Sequence, residues 1–421
     1  MSESTLTQEF TDVTVDSSTD NEVSLAVLFL TFLKIGSLAF GGYMALISVI
    51  ENTIVKKLNL ITHKDMLDGI SLANLLPGPM AVNVVAFVGY KIRGRLGALV
   101  TTTAVILPSF LLILALSYIY FNFGETVNFS SIFMGFMPAV AAIIFSVAWR
   151  LGKKTITGTI ELLIAATATV LLILAPLEFK VYAPIALILV SGILGYYVFN
   201  TPADDKVKNA SPSSSSKKSP LILLLFSGLI LLWFIPLPIE KDSVLFLTLT
   251  FASMSLMLFG GGYVFIPVIG SIVVLENSWL TSQEFTDGIA LGQITPGPIL
   301  ISATFIGYKV AGFWGALCST IGIFGIPALL MVVVSRWFDF ISTSNATKAV
   351  MHGIHSAVIG MIAVAAFIIL KSAFGSFDII QVAINWPLVL IFFTSLIGLI
   401  KYNLDVIWVI PPAGLIGYLF L

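Results

Sequence analysis

The chain has 421 residues, 58% of them hydrophobic and 10% charged, with mean hydropathy +1.04 and a formal net charge of −1. Apolar runs of about 20 residues recur along nearly its whole length, which excludes a soluble globular domain and fits a polytopic helical membrane protein. The net charge is silent on nucleic acid, but no basic cluster suggests it, and Cys318, alone, excludes an intrachain disulfide or cysteine metal site.

Residues 1–24 are polar and acidic, with Glu3, Glu9, Asp12, Asp16, Asp20 and Glu22 and no Lys or Arg. They read as a disordered cytoplasmic tail without a signal peptide. Spans follow near 25–57, 63–92, 96–121, 131–150, 158–177 and 181–199, closing a first repeat over 25–199. The Ser- and Lys-rich stretch 200–219 reads as a solvated linker. A lone apolar segment at 220–238 reads as a connector helix. The second repeat, 244–421, has spans near 244–275, 282–308, 312–338, 346–371, 379–400 and 403–421.

The halves are duplicates. A shift of 219 positions lays DGISLANLLPGP (68–79) over DGIALGQITPGP (287–298), with seven of twelve positions identical. In the same order AFGGYM pairs with FGGGYV, VGYKIRGRLGAL with IGYKVAGFWGAL, ILPSFLL with GIPALLM, and GFMPAV with GIHSAV. The expected fold is an all-α polytopic membrane protein of about 13 transmembrane segments, two six-span repeats and one connector. The odd connector inverts the second repeat, the plan of many secondary transporters. In the first half Lys91, Arg93, Arg95, Arg150, Lys153, Lys154 and the linker lysines outnumber Lys56, Lys57, Lys64 and Lys180 on the opposite side. That bias predicts a cytoplasmic N-terminus in the plasma membrane.

The spans break themselves at matching depth. Pro77-Gly78-Pro79 and Pro296-Gly297-Pro298 interrupt the helices that begin with the capping boxes Thr62-x-x-Asp65 and Thr281-x-x-Glu284. The segment 25–57 is too long for one straight crossing at about 1.5 Å per residue, and its centre is Gly41-Gly42; the twin's centre includes Gly261-Gly262. Unwound backbone is tolerated in the hydrocarbon core only where protein buries it or it lines a cavity. Half-helices starting at Met80 and after Pro298 would aim backbone N–H groups and a positive dipole end at an anion. Asn74 and Gln293, one turn before PGP, and Asn83 and Ser302, one turn after, could donate to it; helix–helix hydrogen bonding is their other reading. Lys34, Asp68, Asp287 and His355 are candidates for charge compensation or coupling, with snorkelling, interfacial capping or interhelical bonding as the structural alternatives. No HExxH, GxSxG, P-loop or paired intramembrane acids are present, so neither an enzyme, a metal nor a cofactor is expected.

The stretches IGSLAFGGYMA (35–45), DGISLANLLPGP (68–79) and GALVTTTAVILPSF (97–110), with degenerate copies in the second half, resemble the chromate ion transporter (CHR) family in its long, two-domain form. The resemblance spans all but the tail and linker. It implies chromate export and chromate resistance, with sulfate as the isosteric competitor. Asn74 stands where the family usually has glutamine, as at Gln293, and LNLIT lacks the tryptophan of SWLT. The implied partners are a small inorganic oxyanion (chromate or sulfate) and the lipid bilayer, with a homodimer as one assembly. A proton-coupled carrier of sulfate or another oxyanion, an anion channel and a membrane-embedded enzyme are the alternatives.

Overall fold

The computed structural model describes residues 23–39, 43–123, 129–176, 182–200, 243–258, 265–335, 345–374 and 386–420. Gly41, Gly42, Gly261, Gly262, most of the tail and linker and the whole connector helix therefore lie outside the described residues.

The described residues contain helices and no strand. In chain order they are α1 (Leu25–Leu38), α2 (Tyr43–Ile50, continued by a π-helical turn Glu51–Lys57), α3 (His63–Leu75), α4 (Met80–Phe123), α5 (Phe129–Thr155), α6 (Thr159–Leu174) and α7 (Ala183–Phe199). The second half gives α8 (Val244–Leu256), α9 (Phe265–Gly270, continued by a π-helical turn Ser271–Glu276), α10 (Ser282–Ile294), α11 (Ser302–Val334), α12 (Asn345–Phe374), α13 (Trp386–Lys401) and α14 (Ile410–Phe420). Among the described residues four helices, α4, α5, α11 and α12, are long and apolar enough to cross a membrane, and six shorter apolar helices accompany them.

Local chemistry sets the helix starts. The Ser24 and Ser243 hydroxyls accept from Ala26 and Phe246 N–H, supplying acceptors that the first helical turn lacks. Both predicted capping boxes form: Asp65 N–H donates to Thr62 Oγ1 at 3.1 Å and Thr62 N–H to Asp65 Oδ2 at 3.2 Å, with Thr281 and Glu284 repeating the pattern. The π-helical turns Glu51–Lys57 and Ser271–Glu276 occupy matching places before α3 and α10.

α4 and α11 each reverse direction. Arg93 leaves the helical region, and Gly94 takes φ +59°, a conformation that costs a side-chain-bearing residue energy. Ala311 and Gly312 do the same in α11. Each long helix is thus two antiparallel arms in close contact. Gly89 faces Gly97, and Thr101 Oγ1 donates to Val85 O across the gap at 3.2 Å; in α11 Gly307 faces Gly315, and Ser319 Oγ donates to Ala303 O at 2.7 Å. The gaps predicted between spans at 92–96 and 308–312 are these turns.

α5 and α12 form the centre, with most of their apolar stretch buried, while less than half of the corresponding stretch of α4 and α11 is buried. The halves interlock there. Gly135 of α5 meets Ala413 and Gly417 of α14, and Gly353 of α12 meets Ser191 and Gly195 of α7, so each central helix packs on the last helix of the other half.

A side chain at Gly89 would meet the Gly97 carbonyl at 2.6 Å, an obstacle of backbone that cannot rotate away. Gly89→Leu and Gly307→Leu should each cost at least about 1–3 kcal/mol by overpacking, seen as a lower melting temperature of the detergent-solubilised protein. Leu99→Ala, at a side chain 66% exposed, should leave it within about 0.5 kcal/mol.

Candidate functional site

α3 ends because Pro77 and Pro79 supply no N–H and force the residues before them out of the helix; Leu76 is extended at φ −97°, ψ 148°. Gly78 then takes φ +108°, and Gly297 takes φ +98° in the twin. The chain does not continue across. Lys91, at the end of the first arm of α4, pairs with Asp65 at the start of α3 at 3.1 Å, and Gly69 lies beneath the Phe87 ring. In the second half Lys309 pairs with Glu284 at 2.8 Å and Gly288 lies beneath Phe305.

The reading of 63–92 and 282–308 as single interrupted crossings is therefore corrected. Each is a hairpin that returns to the end it entered by, with PGP at its tip, and the figure of about 13 crossings counted such hairpins as spans. α8 and α9 behave likewise, since Phe246 near the start of α8 touches Trp279 just before α10, ring centroids 6.1 Å apart. Hydropathy could not show this, because a hairpin and a broken crossing have the same apolar pattern.

The tips meet the opposite half reciprocally. Gly78 N–H donates to Leu258 O at 2.7 Å, and Gly297 N–H donates to Ala39 O at 2.8 Å. Gly78 packs against Pro327, and the Ser109 hydroxyl donates to Pro296 O beside Gly297. Leu258 and Ala39 are the last described residues before the glycine-containing segments of their halves. The glycine N–H groups are thus engaged. Those that a helix start leaves without an intrahelical acceptor fall on Met80, Ala81 and Val82, all buried.

The remaining predicted residues divide. Asn83 is fully buried and donates from Nδ2 to Pro77 O at 3.1 Å, holding the turn, while its Oδ1 has no partner among the described residues. Gln293 is buried with Nε2 likewise unpartnered, and Ser302 is fully buried. Asn74 is exposed and donates back to Ile70 O at 2.9 Å, so it does not mirror Gln293. The Lys34 side chain is exposed, on the opposite side of α1 from buried Ile35 and Gly36. Asp68 is half-buried, whereas Asp287 is buried and accepts from Tyr120 Oη at 2.7 Å and Gln283 Nε2 at 3.1 Å. His355 has a buried, unpartnered Nε2, and its neighbour His352 contacts Glu161 of α6 at 3.0 Å.

Ser109, Thr102 and Tyr120 escaped the sequence reading. Ser109 lies inside the duplicated ILPSFLL block, which marks its neighbourhood, but its partner is 187 residues away. Thr102 carries a buried hydroxyl without a partner among the described residues. A cavity of about 790 Å³ lies between the second arms of α4 and α11. Its lining is apolar apart from Arg95, Thr102, Thr103 and Thr320, and no PGP residue reaches it. Exposed Leu99, Ile321 and Leu329 on its walls make it a groove for apolar matter, not for an oxyanion.

A family model described as chromate transporter matches residues 26–196 and again 245–418. The chain belongs to the chromate transporter family. It is 30% identical over 398 residues to a chromate transport protein of Cupriavidus metallidurans, covering 94% of this chain and 92% of that one. A probable chromate transport protein of Synechococcus elongatus is 33% identical over 347 residues, 81% of this chain and 83% of its own. An uncharacterised transporter of Methanocaldococcus jannaschii is 30% identical over 343 residues, with the same coverages. No solved structure matches. This transporter-family chain is an integral membrane protein built from apolar helices.

The hairpin makes a direct prediction. In a Cys318→Ser background, Asp65→Cys with Lys91→Cys should be joined in high yield by a short bismaleimide within one chain. If 63–92 crossed the membrane once, its ends would lie roughly 40 Å apart, and no cross-link would form.

Proposed function

We propose that the chain carries chromate, and sulfate-like oxyanions generally, out of the cell across the cytoplasmic membrane, by alternating access around the two PGP tips. The observation that carries this reading is the character of the buried polar groups near the tips. Gln293 holds an unpartnered donor, and the first turn of α4 points buried N–H groups outward from Met80 to Val82. A tetrahedral oxyanion only accepts hydrogen bonds, so it suits such donors. Pro77, Gly78, Pro79, Asn83, Pro296, Gly297, Pro298 and Ser302 shape the site, and the sequence adds Gly41, Gly42, Gly261 and Gly262 as candidates. The relatives are named as transporters, which supports carriage rather than chemistry on the substrate.

An inverted pair of repeats, 25–199 and 244–421, is supported by the second arm of α4. It starts beside the Lys91–Asp65 pair and ends at Phe121, where Lys309 sits 4.8 Å from the ring centroid. That arm runs about 40 Å, enough to cross a bilayer, so the two hairpins enter from opposite faces. With the first half's basic residues inside, the N-terminus is cytoplasmic. A dianion leaving a negative-inside cell gains about 4.6 kcal/mol per 100 mV, twice the single-charge value, so export needs no further coupling.

One set of contacts favours a proton-coupled oxyanion carrier as the second reading. Buried Glu161 pairs with half-exposed His352 of the other half, beside the unpartnered His355 Nε2, and Lys34, Asp68 and Asp287 would assist coupling.

Proteoliposomes separate the two. Chromate flux that follows an imposed potential without a pH gradient supports export driven by potential; flux that appears only with a proton gradient supports the coupled carrier. Gln293→Leu should raise the half-saturating oxyanion concentration about 10- to 100-fold, the effect of losing one hydrogen bond to a charged group. Replacing Pro77 and Pro79 by Ala should abolish flux in protein that still elutes as a monodisperse peak; retained flux would refute the site.

A further inference from the structure

The two hairpins have equivalent sequences but unequal burial. On α10 every residue from Phe285 to Gln293 is buried. On α3, Lys64, Leu67, Ser71 and Asn74 are exposed, and Asp68 is half-buried beside them. Spaced three or four apart, these residues form one stripe that climbs from the helix start to the PGP tip. The α10 counterparts of the last three, Thr286, Ala290 and Gln293, are 3%, 1% and 7% exposed. Apart from Leu67 the stripe is Lys, Ser, Asn and Asp, side chains that inside a membrane protein face water rather than lipid. So one hairpin is wetted towards its tip and the other is shut.

α5 covers most of α10, and the far end of α4 closes over the Asp287 side of it. Tyr120 Oη donates to Asp287 Oδ2 at 2.7 Å, and its ring lies edge-on to Phe305 of the same hairpin at 5.2 Å. Phe121 stacks on Tyr308 at 6.1 Å and 14°, meets Phe305 at 4.8 Å and lies under Lys309, which is itself tied to Glu284. Besides Tyr120, the polar and charged groups around Asp287 are Gln283, which donates to it, and Glu284, engaged by Lys309. By the 218–219 shift, the positions matching Tyr120 are Phe338 and Asp339. Neither is a tyrosine, so the first hairpin's Asp68 has no equivalent hydroxyl donor in the duplicated sequence.

We propose that Tyr120 and Phe121 form a one-sided latch on the second hairpin, fixing the conformation in which the oxyanion reaches the tips only along the α3 stripe. Tyr120 is a positioning residue: it acts through Asp287 on the exposure of α10, not on the substrate. With the first half's basic residues in the cytoplasm, the latched conformation is the one that loads from the cytoplasm. The proposal rests on the transport reading above.

Single cysteines in a Cys318→Ser chain report the two stripes, Ser71→Cys on α3 and Ala290→Cys at the matching position of α10. A membrane-impermeant maleimide is applied to vesicles of each orientation, and chromate flux is measured on the same preparations. With Tyr120 intact, Ser71→Cys should label from the face of the first hairpin and Ala290→Cys from neither. Adding Tyr120→Phe should raise the Ala290→Cys labelling rate about tenfold and slow Ser71→Cys, as losing one charge-assisted hydrogen bond shifts a two-state balance. Asp287→Asn, which keeps the side-chain shape, should act in the same direction and serves if the tyrosine variant aggregates. Labelling of Ala290→Cys with Tyr120 intact overturns the latch, as do rates unchanged in both variants. Loss of chromate flux in the unsubstituted chain with the labelling shift preserved would fault the transport reading alone.

Discussion

A backbone N–H or C=O left without a partner in hydrocarbon costs several kcal/mol, and both PGP turns answer that constraint in the same way. Gly78 N–H finds Leu258 O and Gly297 N–H finds Ala39 O, each in the opposite half. Neither repeat can therefore complete its own hairpin tip. The unwound backbone of one is satisfied by a carbonyl of the other, so the two halves must dock for either turn to be stable. The pairing of α5 with α14 and of α12 with α7 through glycine contacts belongs to the same logic, because it holds the halves in the register that makes the tips meet.

Polar side chains near the tips then have two different duties. Asn83 and Ser109 spend their donors on the proline carbonyls of the turns, Pro77 and Pro296. Gln293 keeps a buried polar atom unspent. A buried donor without a partner is costly, and its retention in a site is understandable where a ligand supplies the missing acceptor. Charge stays at the hairpin mouths instead, in Asp65–Lys91 and Glu284–Lys309. Such pairs contribute little to stability where they are exposed, but they close the base of each hairpin.

The sequence made the duplication, both PGP breaks and both capping boxes legible, because each is a local pattern. The 92–96 gap likewise became the Gly94 turn. The direction of the chain after PGP was not legible: apolar periodicity repeats every 3.6 residues whether a helix goes on or doubles back. One clue was present, since Asp65 and Lys91 carry opposite charges at the two ends of the same segment, as do Glu284 and Lys309. Contacts between halves were beyond reach, as Tyr120 and Asp287 are 167 positions apart. The symmetry argument also over-reached at Asn74. It was paired with Gln293 by alignment, yet it faces outward and bonds its own helix, because equal sequence does not impose equal packing.

That inequality is a requirement of the architecture rather than a defect in it. In the proposed inverted arrangement, two hairpins entering from opposite faces cannot both be wet to the tip at once, or the protein would be a pore. A duplicated chain with perfectly matched halves would make its two conformations equal in energy, and any preference must come from residues that the duplication no longer shares. Tyr120 is such a residue, matched in the second half by Phe338 or Asp339, and Asn83 against Ser302 is another. The hydroxyl of Tyr120 meets a buried carboxylate, whereas Asp68 is left half-buried beside an exposed polar stripe. Divergence between the repeats at these few positions, not the shared PGP and glycine motifs, is what can give a symmetric scaffold a resting side.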